Sequence, residues 1–375
     1  MNVSDIGNRS NLTRLPLNDS CDVLWSDSFA RSITVAYVVL GMAGVFGNGF
    51  VVVLVSVARR LRHDPPNILL ANVALIELVY FLSSHPITIW NTISSGALES
   101  HHSLCQVQGF LITMLVPLCW VAHALMSLEK YCNLATRFRG FFSTRKSVIS
   151  IMWSWIFCAG FAVFPLVGYG RYELTATRLA CIGAMHNFGQ PVFIYMNILL
   201  VACFIITAWS YGGLYQVVKR LRKRASNRKS EHVVGGINMD PDRQKSIAGG
   251  ALPKRDRSSS ITSQLAETFH TAITIFISVI LFTVAFVLTA IAEIVLSVYY
   301  PNPLAACEVS SNPKFIMANL HIFIVDFVLV INPYVYSLRN RSMRKHIMKS
   351  PHIFRSLWAF ITGKKARVRQ HGSST

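Results

Sequence analysis

The sequence predicts an all-α membrane protein, a seven-transmembrane helix bundle with a short amphipathic helix after the seventh span. Three observations predict it. Of 375 residues, 52% are apolar and only 14% charged, against roughly 25% charged in soluble proteins. Seven apolar runs follow one another, each long enough for the about 20 residues that a spanning helix needs. Basic residues outnumber acidic ones 36 to 17 and gather in alternate connections, the asymmetry that sets membrane orientation. A mean hydropathy of +0.43 excludes a disordered chain. It also excludes a soluble nucleic-acid binder, whose excess charge would sit on a charge-rich surface. Eight cysteines are too sparse for a disulfide scaffold.

Residues 1–31 form a polar tail without the apolar segment of a cleavable signal peptide. Its Asn2, Asn8, Asn11 and Asn18 each open an Asn-X-Ser/Thr acceptor, so the tail reads as extracellular and glycosylated. The bundle, 32–338, contains runs from Ser32 to Val57, Ile68 to Ile93, Cys105 to Cys132, Val148 to Tyr169, Val192 to Val218, Phe269 to Tyr299 and Phe315 to Leu338. All are nearly free of charge, and none shows the alternation of a barrel strand. Within the bundle, 221–263 is rich in Lys, Arg, Ser and Gly without apolar periodicity, which predicts a disordered third cytoplasmic loop. It includes Arg255-Asp-Arg-Ser-Ser-Ser, a basic-directed kinase pattern. The segment 339–375 is read as a cytoplasmic amphipathic helix and tail. Between Asn340 and Ile361, basic residues interleave with Met343, Ile347, Phe354, Leu357 and Trp358, which suits a helix on membrane lipids.

Thirty of the 36 basic residues lie in the first and second connections of one side, in 219–257 and from Arg339 onward. The other side carries six, namely Arg9, Arg14, Arg31, Arg171, Arg178 and Lys314. This predicts a membrane protein with its N-terminus outside and its C-terminus cytoplasmic. No HExxH, CxxC, GxSxG or phosphate loop occurs, so no enzyme, cofactor or nucleic-acid partner is expected. His101-His102 offers two imidazoles, too few for a metal site.

The motifs, in order, are Gly47-Asn48 in the first run, Asn67-Ile-Leu-Leu-Ala-Asn-Val-Ala-Leu-Ile-Glu77 in the second, and Cys105 opening the third, which Glu129-Lys130-Tyr131 closes. Trp155 and Pro165 follow in the fourth, then Cys181 in a loop and Asn332-Pro333-Tyr-Val-Tyr336 in the seventh. As an ordered set they resemble the rhodopsin-like (class A) G-protein-coupled receptors. The resemblance implies a receptor transducing an unidentified extracellular ligand to heterotrimeric G proteins, with arrestin and receptor kinases as further partners. It also implies a disulfide between Cys105 and Cys181; Cys21 and Cys307 are candidates for a second. Cys119, Cys132, Cys158 and Cys203 read as small core residues.

Asn48, Glu77 and Asn332 are polar at intramembrane depth and need partners; the resemblance implies one network, where relatives bind sodium. Here Glu77 replaces the usual Asp, and Cys119 and Val328 replace oxygen ligands, so a proton on Glu77 is expected instead of a metal. Lys130 replaces the arginine that relatives release toward the G protein, keeping the charge but losing the planar fork. Tyr211 and Tyr336 match inner tyrosines that close the active state. The fifth and sixth runs lack their usual prolines, at Cys203 and Leu288, which favours straighter helices.

The loop from Pro165 to Cys181 is similar to that of opsins. Opsins hold retinal on a lysine six residues before the Asn of the last motif, and Asp326 stands there instead, which excludes covalent retinal. Asp326 and Glu293 are then candidate ligand counter-ions, with Gln108, Ile112 and Phe286 around them, or else are polar contacts paired to Trp90 or Tyr37. His123 reads as a buried neutral histidine with a backbone partner. The departures at Glu77, Lys130, Cys203, Phe286 and Leu288 support an alternative function, a constitutively active or non-signalling receptor-like protein serving as a heteromer scaffold.

Overall fold

A computed structural model describes residues 27–94, 97–134, 141–175, 179–183, 191–237 and 313–340, scattered positions between 273 and 291, and Met343, Arg344 and Ile347. Helix α1 spans Asp27–Val57, α2 Pro65–Leu82, α3 Ser84–Ile93, α4 His102–Leu134, α5 Thr144–Val163, α6 Pro191–Ile237 and α7 Pro313–Arg339. The described positions between Ile273 and Ile291, in the sixth apolar run, are helical.

The first, third, fourth and fifth runs each form a helix long and apolar enough to cross a membrane, the second does so as α2 and α3 together, Pro65–Ile93, and Phe323–Ser337 is the apolar stretch of α7. α4 is the central post, packed against α2, α5 and α6, while α1 packs on α2 and α7. Phe46, Trp153, Ile156 and Ile198 are more than 60% exposed. In water such apolar exposure would be a liability; on a spanning bundle it is the lipid-facing surface.

The second run does not form one uninterrupted helix. It breaks at Ser83, between α2 and α3. Pro86, the third residue of α3, has no N–H to donate and crowds the carbonyl one turn back, which kinks a helix. The Ser83 hydroxyl donates to the Val79 carbonyl at 2.6 Å.

Two segments depart from the sequence expectation. First, α6 continues to Ile237, so 221–237 is helical although it was read as disordered loop. The stretch 221–234 contains neither Gly nor Pro, and a helix already nucleated in the apolar span propagates at little further cost. Second, the loop after α5 contains strands β1, Tyr172–Leu174, and β2, Cys181–Gly183, paired antiparallel with Glu173 opposite Ile182. Strands of three residues are too short to announce themselves by alternation. At the far end, Asn340 Oδ1 accepts from the Met343 N–H at 3.3 Å and its carbonyl from the Arg344 N–H at 2.8 Å. These bonds make a helix start capped by Asn340; the rest of the segment expected to form an amphipathic helix lies outside the described residues.

Candidate functional site

The cap at one end is built from α4, α3 and the hairpin. Cys105, near the start of α4, is bonded to Cys181 in β2. Gln108 lies one turn further on, fully buried. Its Oε1 accepts from the Cys181 N–H at 2.8 Å, and its Nε2 donates to Thr88 Oγ1 at 3.0 Å. Gln106 donates to the Tyr172 carbonyl at 3.1 Å. Asn91 donates to the Leu179 carbonyl and accepts from the Leu98 N–H. The Tyr172 hydroxyl donates to the Ala162 carbonyl at 2.5 Å; burial pushes that phenol up to about 12, with a Thr113 hydrogen bond pulling the other way. Gly109 permits the approach, because a Cβ there would stand 2.5 Å from the Tyr172 ring.

Below the cap, Asp326 of α7 is 1% exposed. Its Oδ1 accepts from the Tyr80 hydroxyl at 2.8 Å, and its Oδ2 lies 3.4 Å from His85 Nδ1. The opposite ring nitrogen, His85 Nε2, donates to the Tyr37 carbonyl at 2.9 Å. The cluster thus joins α1, α2, α3 and α7. The Tyr37 ring packs edge-on against His85. His85 and Tyr80 are the partners that sequence reading missed; the Ser-Ser-His-Pro break that turns His85 toward α7 was the available signal.

At mid-bundle, Asn332 Nδ2 donates to Glu77 Oε1 at 2.7 Å, and Asn48 is buried next to the same carboxyl. Glu77 Oε2 and Asn332 Oδ1 are buried without a hydrogen-bond partner. Cys119 and His123 face this seam from α4. The His123 Nδ1–H donates to the Cys119 carbonyl at 2.8 Å, while Nε2 is 3.2 Å from the Tyr336 hydroxyl. Pro333 lies inside α7.

At the opposite end from the disulfide, Lys130 Nζ lies 3.3 Å from Glu129 Oε2 and remains 18% exposed. Asn133 holds the other Glu129 oxygen. Asp64, in the turn before α2, accepts from Asn67 at 2.8 Å. Burial raises the Asp64 carboxyl above its usual range and the Lys130 charge draws it back. Tyr131 packs edge-on against Trp209 with centroids 5.0 Å apart, and the Tyr211 ring lies tilted against Phe276 at 4.8 Å.

Cys119, Cys132, Cys158 and Cys203 are free and buried. Ile112 is partly buried one turn below Gln108. Asn2, Asn8, Asn11, Asn18, Cys21, Cys307, Phe286 and Glu293 lie outside the described residues.

Residues 47–336 match the family model for the 7 transmembrane receptor (rhodopsin family). A compound eye opsin of Hemigrapsus sanguineus is 28% identical over 47% of this chain and 48% of its own. A medium-wave-sensitive opsin of Cavia porcellus is 24% identical over 89% of this chain and 79% of its own. The chain spans about half the length of most of the curated relatives it matches. Squid rhodopsin, a crystal structure, superposes with a TM-score of 0.67 at 15% identity, covering 93% of this chain and 94% of that one; the likeness is one of fold. With the ordered motifs, the helix bundle and the Cys105–Cys181 bond all in place, the chain belongs to the rhodopsin family of seven-transmembrane receptors, a multi-pass membrane family and not an enzyme class.

Proposed function

We propose that the protein is a plasma-membrane receptor, N-terminus outside, that converts an extracellular ligand into activation of a heterotrimeric G protein. The observation that carries this reading is Lys130, a cation tethered to buried Glu129 at the end of the bundle opposite the disulfide. A ligand shifts a pre-existing equilibrium; in the active state Lys130 leaves Glu129 and, with Tyr131, Tyr211, Asn332, Pro333 and Tyr336, forms the face presented to the G protein. Arrestin, receptor kinases and inner-leaflet lipids would meet the same side.

The ligand pocket is proposed between α4, α6, α7 and the sixth span, with Asp326, Glu293, Ile112, Phe286 and Gln108 at its edges. A ligand reaching Asp326 must compete with Tyr80 and His85, so this carboxylate senses the ligand through α2 and α3 as well as α7. No imine to a chromophore can form at position 326, because a carboxylate is not an amine.

The test is G-protein dissociation in transfected cells, basal and across a ligand screen, for wild type and Lys130→Ala. Loss of signal in the variant supports coupling through this face. Signal indistinguishable between the two, or absent from both, favours the scaffold reading, which the departures at Glu77, Lys130, Cys203, Phe286 and Leu288 support. Once a ligand is found, unchanged potency in Asp326→Asn removes that residue from the pocket.

A further inference from the structure

His85 of α3 and Asp326 of α7 are both buried, and His85 Nδ1 lies 3.4 Å from Asp326 Oδ2. Neither of these two atoms is hydrogen-bonded to anything else. We propose that the pair is a proton-binding site: one exchangeable proton held between Nδ1 and Oδ2 fastens α3 to α7, and the fastening is lost as pH rises.

The hydrogen-bond pattern places the proton. His85 Nε2 lies 2.9 Å from the Tyr37 carbonyl, which only accepts, so Nε2 carries a hydrogen whatever the charge of the ring. In the neutral ring Nδ1 is then a lone pair. A lone pair facing an ionised carboxylate oxygen is two acceptors with no donor, and burial keeps water from repairing the mismatch. One proton removes the conflict, whether it rests on the imidazole or on the carboxyl. With that proton the pair is neutral overall. Without it a carboxylate at membrane depth, where net charge is expensive, is left to the Tyr80 hydroxyl on Oδ1.

The surroundings suit a proton and leave no room for a larger ion. Tyr37 and Phe81 meet the His85 ring edge-on and Tyr80 lies tilted against it. A Cβ on Gly41 of α1 would stand 2.9 Å from Nε2, so α1 closes the remaining edge. The titratable groups around the ring are Asp326 on α7, Tyr80 on α2 and Tyr37 on α1, whose buried hydroxyl has no partner. Glu77 of α2 faces Asn332 instead. α4 meets α3 through Gln108, which carries no charge. His101 packs on Trp90, further along α3.

The proton reaches further than its two holders. The break at Ser83 separates α3 from α2, and α3 also carries Thr88 and Asn91, which hold the disulfide cap. One short helix thereby links the proton, α7 and the cap. Lys130 is held by Glu129 in this same arrangement. On the receptor reading above, on which this one consequence rests, acid favours the resting state and alkali releases it.

The experiment measures the melting temperature of the purified full-length receptor in detergent from about pH 5 to 9, for wild type and His85→Gln. The difference between the two isolates this pair from every other titrating group. Stability from a bound proton is full in acid and lost as pH rises. The wild type should therefore melt about 2–4 °C or more above the variant at the acid end, and the difference should shrink toward zero at the alkaline end. Asp326→Asn supplies its own N–H to Nδ1, so the advantage of wild type over it should likewise fall as pH rises. Adding His101→Gln to wild type and to His85→Gln should leave their difference unchanged. A difference for His85→Gln that is zero, or that is constant with pH as a merely structural histidine would give, overturns the proposal. So does a difference that disappears when His101→Gln is added. If His85→Gln does not fold, Asp326→Asn decides by the same criterion. No G protein or ligand enters the assay, so failure here leaves the receptor reading untouched.

Discussion

The disulfide cap and the mid-bundle seam both bury amides and other polar side chains, yet they are bonded to opposite extents. In the cap, Gln108 uses both ends of its amide, Asn91 does the same, and the hairpin is tied by Cys105–Cys181 and Tyr172. In the seam, Glu77 Oε2 and Asn332 Oδ1 have no partner. A buried polar group left unpaired costs on the order of 1–3 kcal/mol. The cap is therefore held in one arrangement, while a second arrangement of the seam that paired these atoms would gain free energy. Rigidity sits beside the proposed ligand pocket, and latitude sits at mid-bundle.

Breaking the cap should show the largest effects. Cys105→Ala or Cys181→Ala is expected to cost about 2–5 kcal/mol, read as a lower melting temperature in detergent and reduced delivery to the cell surface. Unchanged melting would mean that the hairpin is fastened without the bond. Gly109→Ala drives a Cβ into the Tyr172 ring, and overpacking of this kind costs about 1–3 kcal/mol. Gln108→Leu strands the Cys181 N–H and should cost about 1–3 kcal/mol.

The seam should answer differently. Glu77→Gln keeps an acceptor for Asn332 and replaces an ionisable carboxyl with an amide, so its stability change is expected below about 1 kcal/mol while basal G-protein dissociation shifts. A cost in melting greater than that of Gln108→Leu would erase the contrast between the two regions. The smallest effect is alkaline. Burial holds the Tyr172 phenol at about 12, above the ordinary 10, so its contribution is full below pH 10 and lost as pH rises through 12. Tyr172→Phe should flatten the melting-temperature profile over that window.

Much of this was legible in the sequence, for physical reasons. Apolar runs of spanning length leave one solution in a bilayer, so α1, α4 and α7 could be placed within about five residues of their observed bounds. Cys105 and Cys181 followed from their place in the motif order. Glu77 and Asn332 declared themselves as polar residues in apolar runs, but such a residue announces only that it needs a partner. Which partner depends on helix rotation and kinks, and rotation has no signature in one strand of text. For Asp326 the sequence offered Trp90 or Tyr37 as polar contacts; Tyr37 does stand in the cluster, behind His85, but the direct partners are Tyr80 and the His85 that the break at Ser83 delivers. The hairpin was hidden by its brevity, and the extension of α6 by a composition that resembles loop.

That extension has a mechanical consequence. At about 1.5 Å per residue, α6 is roughly 70 Å long, and the part beyond the apolar stretch, 221–237, contributes about 25 Å of it. A rod anchored in the bilayer at one end acts as a lever. A tilt of about 10° where it leaves the membrane moves Ile237 sideways by about 4 Å, about the width of a side chain, so a change too small to reorder the bundle is magnified where another protein would feel it.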